Sequence, residues 1–200
     1  MARRRPLTPP NVPEARLDGW RRVEDATESV LDSLLFSVRV RTLVYEDERL
    51  RESLDGAVPD DFAPRFFFAS RIVLDPSPPR TRMLDRMVSM RAREGFIDRL
   101  HERGFSGVRS TAERPLRVGD ADGDLFRFDA RLPREALTVD AVGWCAVWPD
   151  DEGYLFAGGA YPTTVRDESA ADAETTAAIE ASFDPDGFRR ELLDLIRATG

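Results

Sequence analysis

The chain has no lysine and no glutamine, and only one asparagine (Asn11), one histidine (His101) and one cysteine (Cys145) in 200 residues. A lone cysteine excludes an internal disulfide and any multi-cysteine metal site. No run of 18 apolar residues occurs, so no transmembrane helix is expected. The arginines at positions 3–5 are followed by Pro6-Leu7-Thr8-Pro9-Pro10 rather than by an apolar stretch, so no secretory or twin-arginine signal is visible. A reduced, cytoplasmic location without membrane attachment is the expectation.

What the chain has instead is 29 arginines and 37 acids, for a net charge of -8. Such a charge keeps a protein soluble at some cost in self-repulsion. Concentrated salt removes that cost, because the Debye length falls to ~3 Å at 1 M. Arginine is the weakly hydrated, planar cation that pairs well with carboxylates. The combination points to adaptation to high salt and to a GC-rich halophilic source. Residues 1–22 hold six arginines and two acids; the remainder holds 23 arginines and 35 acids. This basic head could serve as a nucleic-acid arm, but affinity gained by counterion release collapses as salt rises. A solvated tail over residues 1–18, with four prolines, is the preferred reading, followed by a single domain over 19–200.

Periodicity places the elements. Residues 34–45 alternate Phe36, Val38 and Val40 with Ser37, Arg39 and Arg41, a strand pattern. Asp47 caps a short helix carrying Leu50 and Leu54 and ended by Gly56. Residues 65–75 are apolar on both faces, as expected of a central strand. Residues 81–103 read as a long helix, with Leu84, Val88, Ala92, Gly95 and Phe96 inward and Gly104 ending it. Strands follow near 107–118, 124–132, 137–149 and 154–162, with turns at 120–123 and 150–153. A short helix near 171–181 precedes a C-terminal helix opened by Asp184-Pro185. The fold class is therefore α+β: one largely antiparallel sheet of about six strands, with a long helix and a C-terminal helix packed on it.

This segment order resembles the PsbP/Mog1-like fold over residues 19–198. The phrases Arg65-Phe66-Phe67-Phe68-Ala69-Ser70-Arg71 and Gly143-Trp144-Cys145-Ala146-Val147-Trp148 are similar to an uncharacterised haloarchaeal protein family. The resemblance implies a binding or accessory role, and it carries no site residues.

Candidate chemistry is sparse. His101 lies near the end of the long helix without a nucleophile motif, so no catalytic triad is assigned. Cys145 sits mid-strand and reads as a buried small hydrophobe. Asp120, Asp122 and Asp124 begin like a calcium loop, but Leu125 and Arg131 occupy positions that need glycine and glutamate. A hairpin turn is the reading. Gly158-Gly159 marks a bulge or a close backbone approach beneath a helix. Met83, Met87 and Met90 read as core filling on the long helix. No metal, cofactor or catalytic residue is assigned.

Three functions remain open. The first is a non-enzymatic binding or accessory domain with an unknown protein partner. The second is a carrier of a small apolar ligand in a cavity lined by Phe66, Phe68, Trp144, Trp148 and Phe156, with Arg71 or Arg127 holding an anionic head. The third is a carboxylate-based enzyme, which needs a buried pair with opposed pKa shifts.

Overall fold

Alternating side-chain burial organises the chain into one antiparallel sheet with helices on both faces. The computed structural model describes residues 6–33, 36–54, 57–59, 62–134, 137–166 and 171–200. The strands are β1 (Trp20–Asp32), β2 (Ser37–Asp47), β3 (Phe66–Asp75), β4 (Ser106–Val118), β5 (Ala121–Arg134), β6 (Leu137–Pro149) and β7 (Tyr154–Val165). The helices are α1 (Glu48–Ser53), α2 (Arg82–Glu102), α3 (Ala173–Ala181) and α4 (Pro185–Ala198). Strand order is β1-β2-β3-β7-β6-β5-β4, antiparallel at every junction. Two meanders thus meet where β3 pairs with β7. After β3, the chain crosses to the far edge through α2 and returns strand by strand.

The sheet has seven strands, not six. β1 escapes a sequence reading because it is an edge strand whose side chains are almost all exposed, so no apolar alternation marks it. Its charges and two bulges, between Arg22 and Glu24 and between Ser29 and Leu31, also protect the edge from further pairing. The first hairpin turn of the later meander is Gly119-Asp120, one residue ahead of the expected stretch, with β5 beginning at Ala121.

Successive side chains of each strand part company across the sheet. Phe66 and Phe68 of β3, Phe126 and Phe128 of β5 and Phe156 of β7 pack with Ala92, Phe96 and Leu100 of α2 and Ile179 of α3. Phe67 of β3, Trp144 and Trp148 of β6 and Tyr161 of β7 pack with Leu192, Leu195 and Ile196 of α4. β3 is buried on both sides, as its sequence requires.

Local chemistry sets the helix ends. Asp47, Thr81, Asp172 and Asp184 each accept a backbone N–H in the first turn of α1, α2, α3 and α4. Gly104, at φ +87°, ends α2: its N–H reaches His101 O at 2.8 Å and Phe105 N–H reaches Leu100 O at 2.9 Å. Gly159 lies under α4, where an added Cβ would meet the Phe66 carbonyl and come within 3.0 Å of Leu192. The close-approach reading of Gly158-Gly159 holds, and register through both neighbours is continuous there.

Three expectations need correction. Gly95 points to open space, and the fully buried line of α2 is Ser89, Ala92, Phe96 and Leu100. Met83, Met87 and Met90 do not fill the core: they are 81%, 53% and 54% exposed. Sequence spacing shows that they share a stripe but not which way it faces. Residues 6–18 are not a free tail. Leu7 and Val12 are buried, Asn11 exchanges two backbone hydrogen bonds with Gly200 (2.5 and 2.8 Å), and Arg41 donates to Leu7 O at 2.8 Å. Prolines and low apolar content hid two apolar anchors. The Gly56 stop, the start of the 34–45 strand and residues 167–170 lie outside the described residues. No described helix is long and apolar enough to cross a membrane.

Candidate functional site

The sheet divides the residues expected to line one aromatic cavity. Phe66, Phe68 and Phe156 face α2, while Trp144 and Trp148 face α4. All five are packed: Phe68 lies 4.9 Å from Phe156 and 5.9 Å from Phe96, ring centre to ring centre. Register decides this: Val147, not Trp144 or Trp148, stands opposite Phe156, and successive side chains of a strand alternate between faces. Arg71 is engaged by its own chain, with Asp150 and Glu152 of the β6–β7 turn. Of the expected site residues, Arg127 and Trp144 border one open depression.

That space is a trough on the α4 side of the sheet. α4 packs across β7 and β6, and beyond its first turn the outer part of the meander lies uncovered. Two lobes of about 370 and 480 Å³ share Arg127, Val142 and Thr163 and so form one continuous depression. Period two in β5 puts Arg127, Asp129 and Arg131 on this face, while Phe126, Phe128 and Ala130 enter the α2 core. β4 contributes Arg109 and Arg114 across bulges that bend the edge strand. Arg166 follows β7, and Arg189 comes from α4.

Six arginines and three aspartates (Asp129, Asp140 and Asp186) therefore line the trough. The local sign is opposite to that of the chain, in which acids outnumber arginines by eight. The aspartates orient part of the set. Arg166 Nη1 donates to both oxygens of Asp140, at 3.0 and 3.2 Å, and Arg131 Nε lies 3.8 Å from the same carboxylate. Arg127 Nη1 donates to Thr111 Oγ1 at 3.1 Å, and its Nη2 lies 3.0 Å from Asp129. The guanidinium of Arg189 sits 5.8 Å from the Trp144 ring centre. Among the described residues, Arg109 and Arg114 make no ion pair. The floor is neutral: Trp144 Nε1 donates to the Tyr161 hydroxyl at 3.4 Å, and burial raises the Tyr161 phenol above its usual pKa.

Other candidates are structural. Cys145 is fully buried, and burial pushes its thiol well up, away from the nucleophilic thiolate. Among the described residues, the two carboxyls with shifted pKa values, Asp25 beside Arg41 and Asp172 capping α3, both move down, opposite to what a general acid needs. His101 is exposed in the last turn of α2. Asp124 accepts a 2.6 Å hydrogen bond from Ser89, tying β5 to α2. Among the described residues no group of three metal-ligating side chains gathers.

A family model described as a domain of unknown function, DUF6517, matches residues 9–200. The chain belongs to the DUF6517 family. No curated protein matches the chain. The DUF6517 match takes in every residue of the trough and also the packed N-terminal segment around Val12, so the domain is larger than a start at residue 19 would make it. Sequence reading of this DUF6517 chain found Arg127 and missed Arg109, Arg114, Arg131, Arg166 and Arg189. The signal present was the Arg127-Asp129-Arg131 alternation on a strand whose other face is apolar. In a chain with 29 arginines that signal resembles an ordinary solvated face.

Proposed function

We propose that this DUF6517 chain is a non-enzymatic binding module whose trough holds a small or extended anionic ligand, one bearing carboxylate or phosphate groups. The observation that carries the reading is the inversion of charge: six arginines against three aspartates on one open depression of a net-acidic protein. Clustered guanidinium groups recognise carboxylate and phosphate by paired, charge-assisted hydrogen bonds. Arg127 and Arg166 are already oriented by Thr111, Asp129 and Asp140, which lowers the ordering cost of binding. Arg109 and Arg114 supply uncommitted donors at the rim. The accessory role implied by the PsbP/Mog1-like segment order fits the same reading. The trough's arginines favour an anion over the apolar cargo of a carrier.

Isothermal titration calorimetry with citrate and with inorganic pyrophosphate, at constant ionic strength, tests it. The wild type is expected to bind at least one of them, and Arg114→Ser with Arg127→Ser together to weaken that affinity at least tenfold, since a hydrogen bond to a charged group contributes ~1.5–3 kcal/mol. Equal affinity in the wild type and the double variant would contradict the assignment.

A further inference from the structure

All three methionines after Met1 lie on one exposed stripe of α2, at positions 83, 87 and 90. They supply half of the large exposed apolar side chains of the described residues; the other three belong to β1. Spacing of four and three residues keeps them on one face, opposite the buried Ser89, Ala92 and Phe96. The stripe continues toward the C-terminus of α2 through the exposed Glu94 and His101 and the half-buried Ile97, which also packs against the core beneath α2.

The charge along α2 is polarised. Residues 82–91 carry three arginines and one aspartate; residues 92–102 carry two arginines and three acids. An antiparallel partner with the same sequence sets the positive half of one helix against the negative half of the other, whereas a parallel one sets like halves together. We propose that α2 is a self-association surface, pairing antiparallel with α2 of a second copy of this chain about a two-fold axis at Met90. With the axis there, each residue faces the one equally far on the other side of position 90. Arg86 then faces Glu94 of the second copy and Met83 faces Ile97, while the two Met90 side chains meet. The Arg86–Glu94 ion pair and the Met83–Ile97 contact each occur twice, and the Met90–Met90 contact lies on the axis, as an isologous interface requires. Methionine suits such a seam because its unbranched side chain adapts to a facing surface. Among the described residues, Glu94 is held only by an exposed ion pair with Arg91 of the same helix, at 2.8 Å, which leaves it able to exchange partners. The trough lies on the opposite face of the sheet and stays open in this dimer.

A single helix pair is a small interface, and interfaces below ~1,200 Å² are weak and transient. Sedimentation equilibrium up to about 500 µM protein therefore fits the expected range. The mass of the wild type is expected to rise from 22.5 kDa toward twice that value. Arg86→Glu and Glu94→Arg, both at exposed sites, should keep the wild-type circular dichroism and each weaken self-association at least tenfold. Mixing the two variants in equal amounts should restore it, because the mixed pair regains an attractive contact at both positions. A wild type that stays at monomer mass throughout, single variants that associate like the wild type, or a mixture that stays monomeric would each overturn the proposal.

Discussion

Arg65 is the residue on which most of the α4 side converges. It is 6% exposed and lies between the rings of Trp20 (4.7 Å) and Phe188 (4.2 Å). It pairs with Asp47, which also caps α1, and with Glu191 at 2.6 Å, which accepts the Trp20 indole N–H at 2.9 Å. One guanidinium thus joins β1, α1, β3 and α4. Arg65→Met leaves Asp47 buried and uncompensated, and should cost about 3–5 kcal/mol in urea unfolding. Arg91→Ala removes an exposed pair and should cost less than ~0.5 kcal/mol. All three tyrosines of the chain have phenols raised above their ordinary 10.0, chiefly by burial, and at Tyr154 also by its hydrogen bond to Asp85. A raised folded pKa means that the unfolded chain loses its proton first. The stability these groups contribute is therefore complete below pH 10 and is lost as pH climbs above it. A spectrophotometric titration should show no free-phenol step at pH 10, and tyrosinate should form together with unfolding. Reversible ionisation near pH 10 with the fold intact would contradict this.

At the scale of elements, the helices and the inner strands were legible because burial imposes a period on them. β3, β6 and β7 are apolar enough to be read outright, and the caps Asp47 and Asp184 mark helix starts by their side-chain oxygens. β1 and the segment around Leu7 and Val12 were not legible, since one is solvated on both faces and the other is anchored by two side chains amid prolines. The trough was legible only at Arg127, because which arginines converge depends on strand order and on where α4 begins. Removing residues 1–12 exposes the bed of Val12 and breaks the Asn11–Gly200 pairing. Full burial of one such side chain is worth ~1.5–3 kcal/mol, so this truncation should lower the midpoint of urea unfolding clearly. An unchanged midpoint would restore the picture of a free tail.

The whole molecule combines an acidic total with a basic depression. Self-repulsion of the acid excess weakens as salt screens it, so the melting temperature should rise between dilute and molar potassium chloride, and a flat response would count against salt adaptation. Screening alone acts on the entire surface, whereas a binding site acts at one place. The most direct measurement is a two-dimensional 1H–15N spectrum of the labelled protein titrated with citrate at fixed ionic strength. Saturable shifts concentrated at Arg109, Thr111, Arg127, Val142, Thr163 and Arg166 are the expected result. Shifts scattered over arginines elsewhere, or none that saturate, would contradict an anion-binding trough.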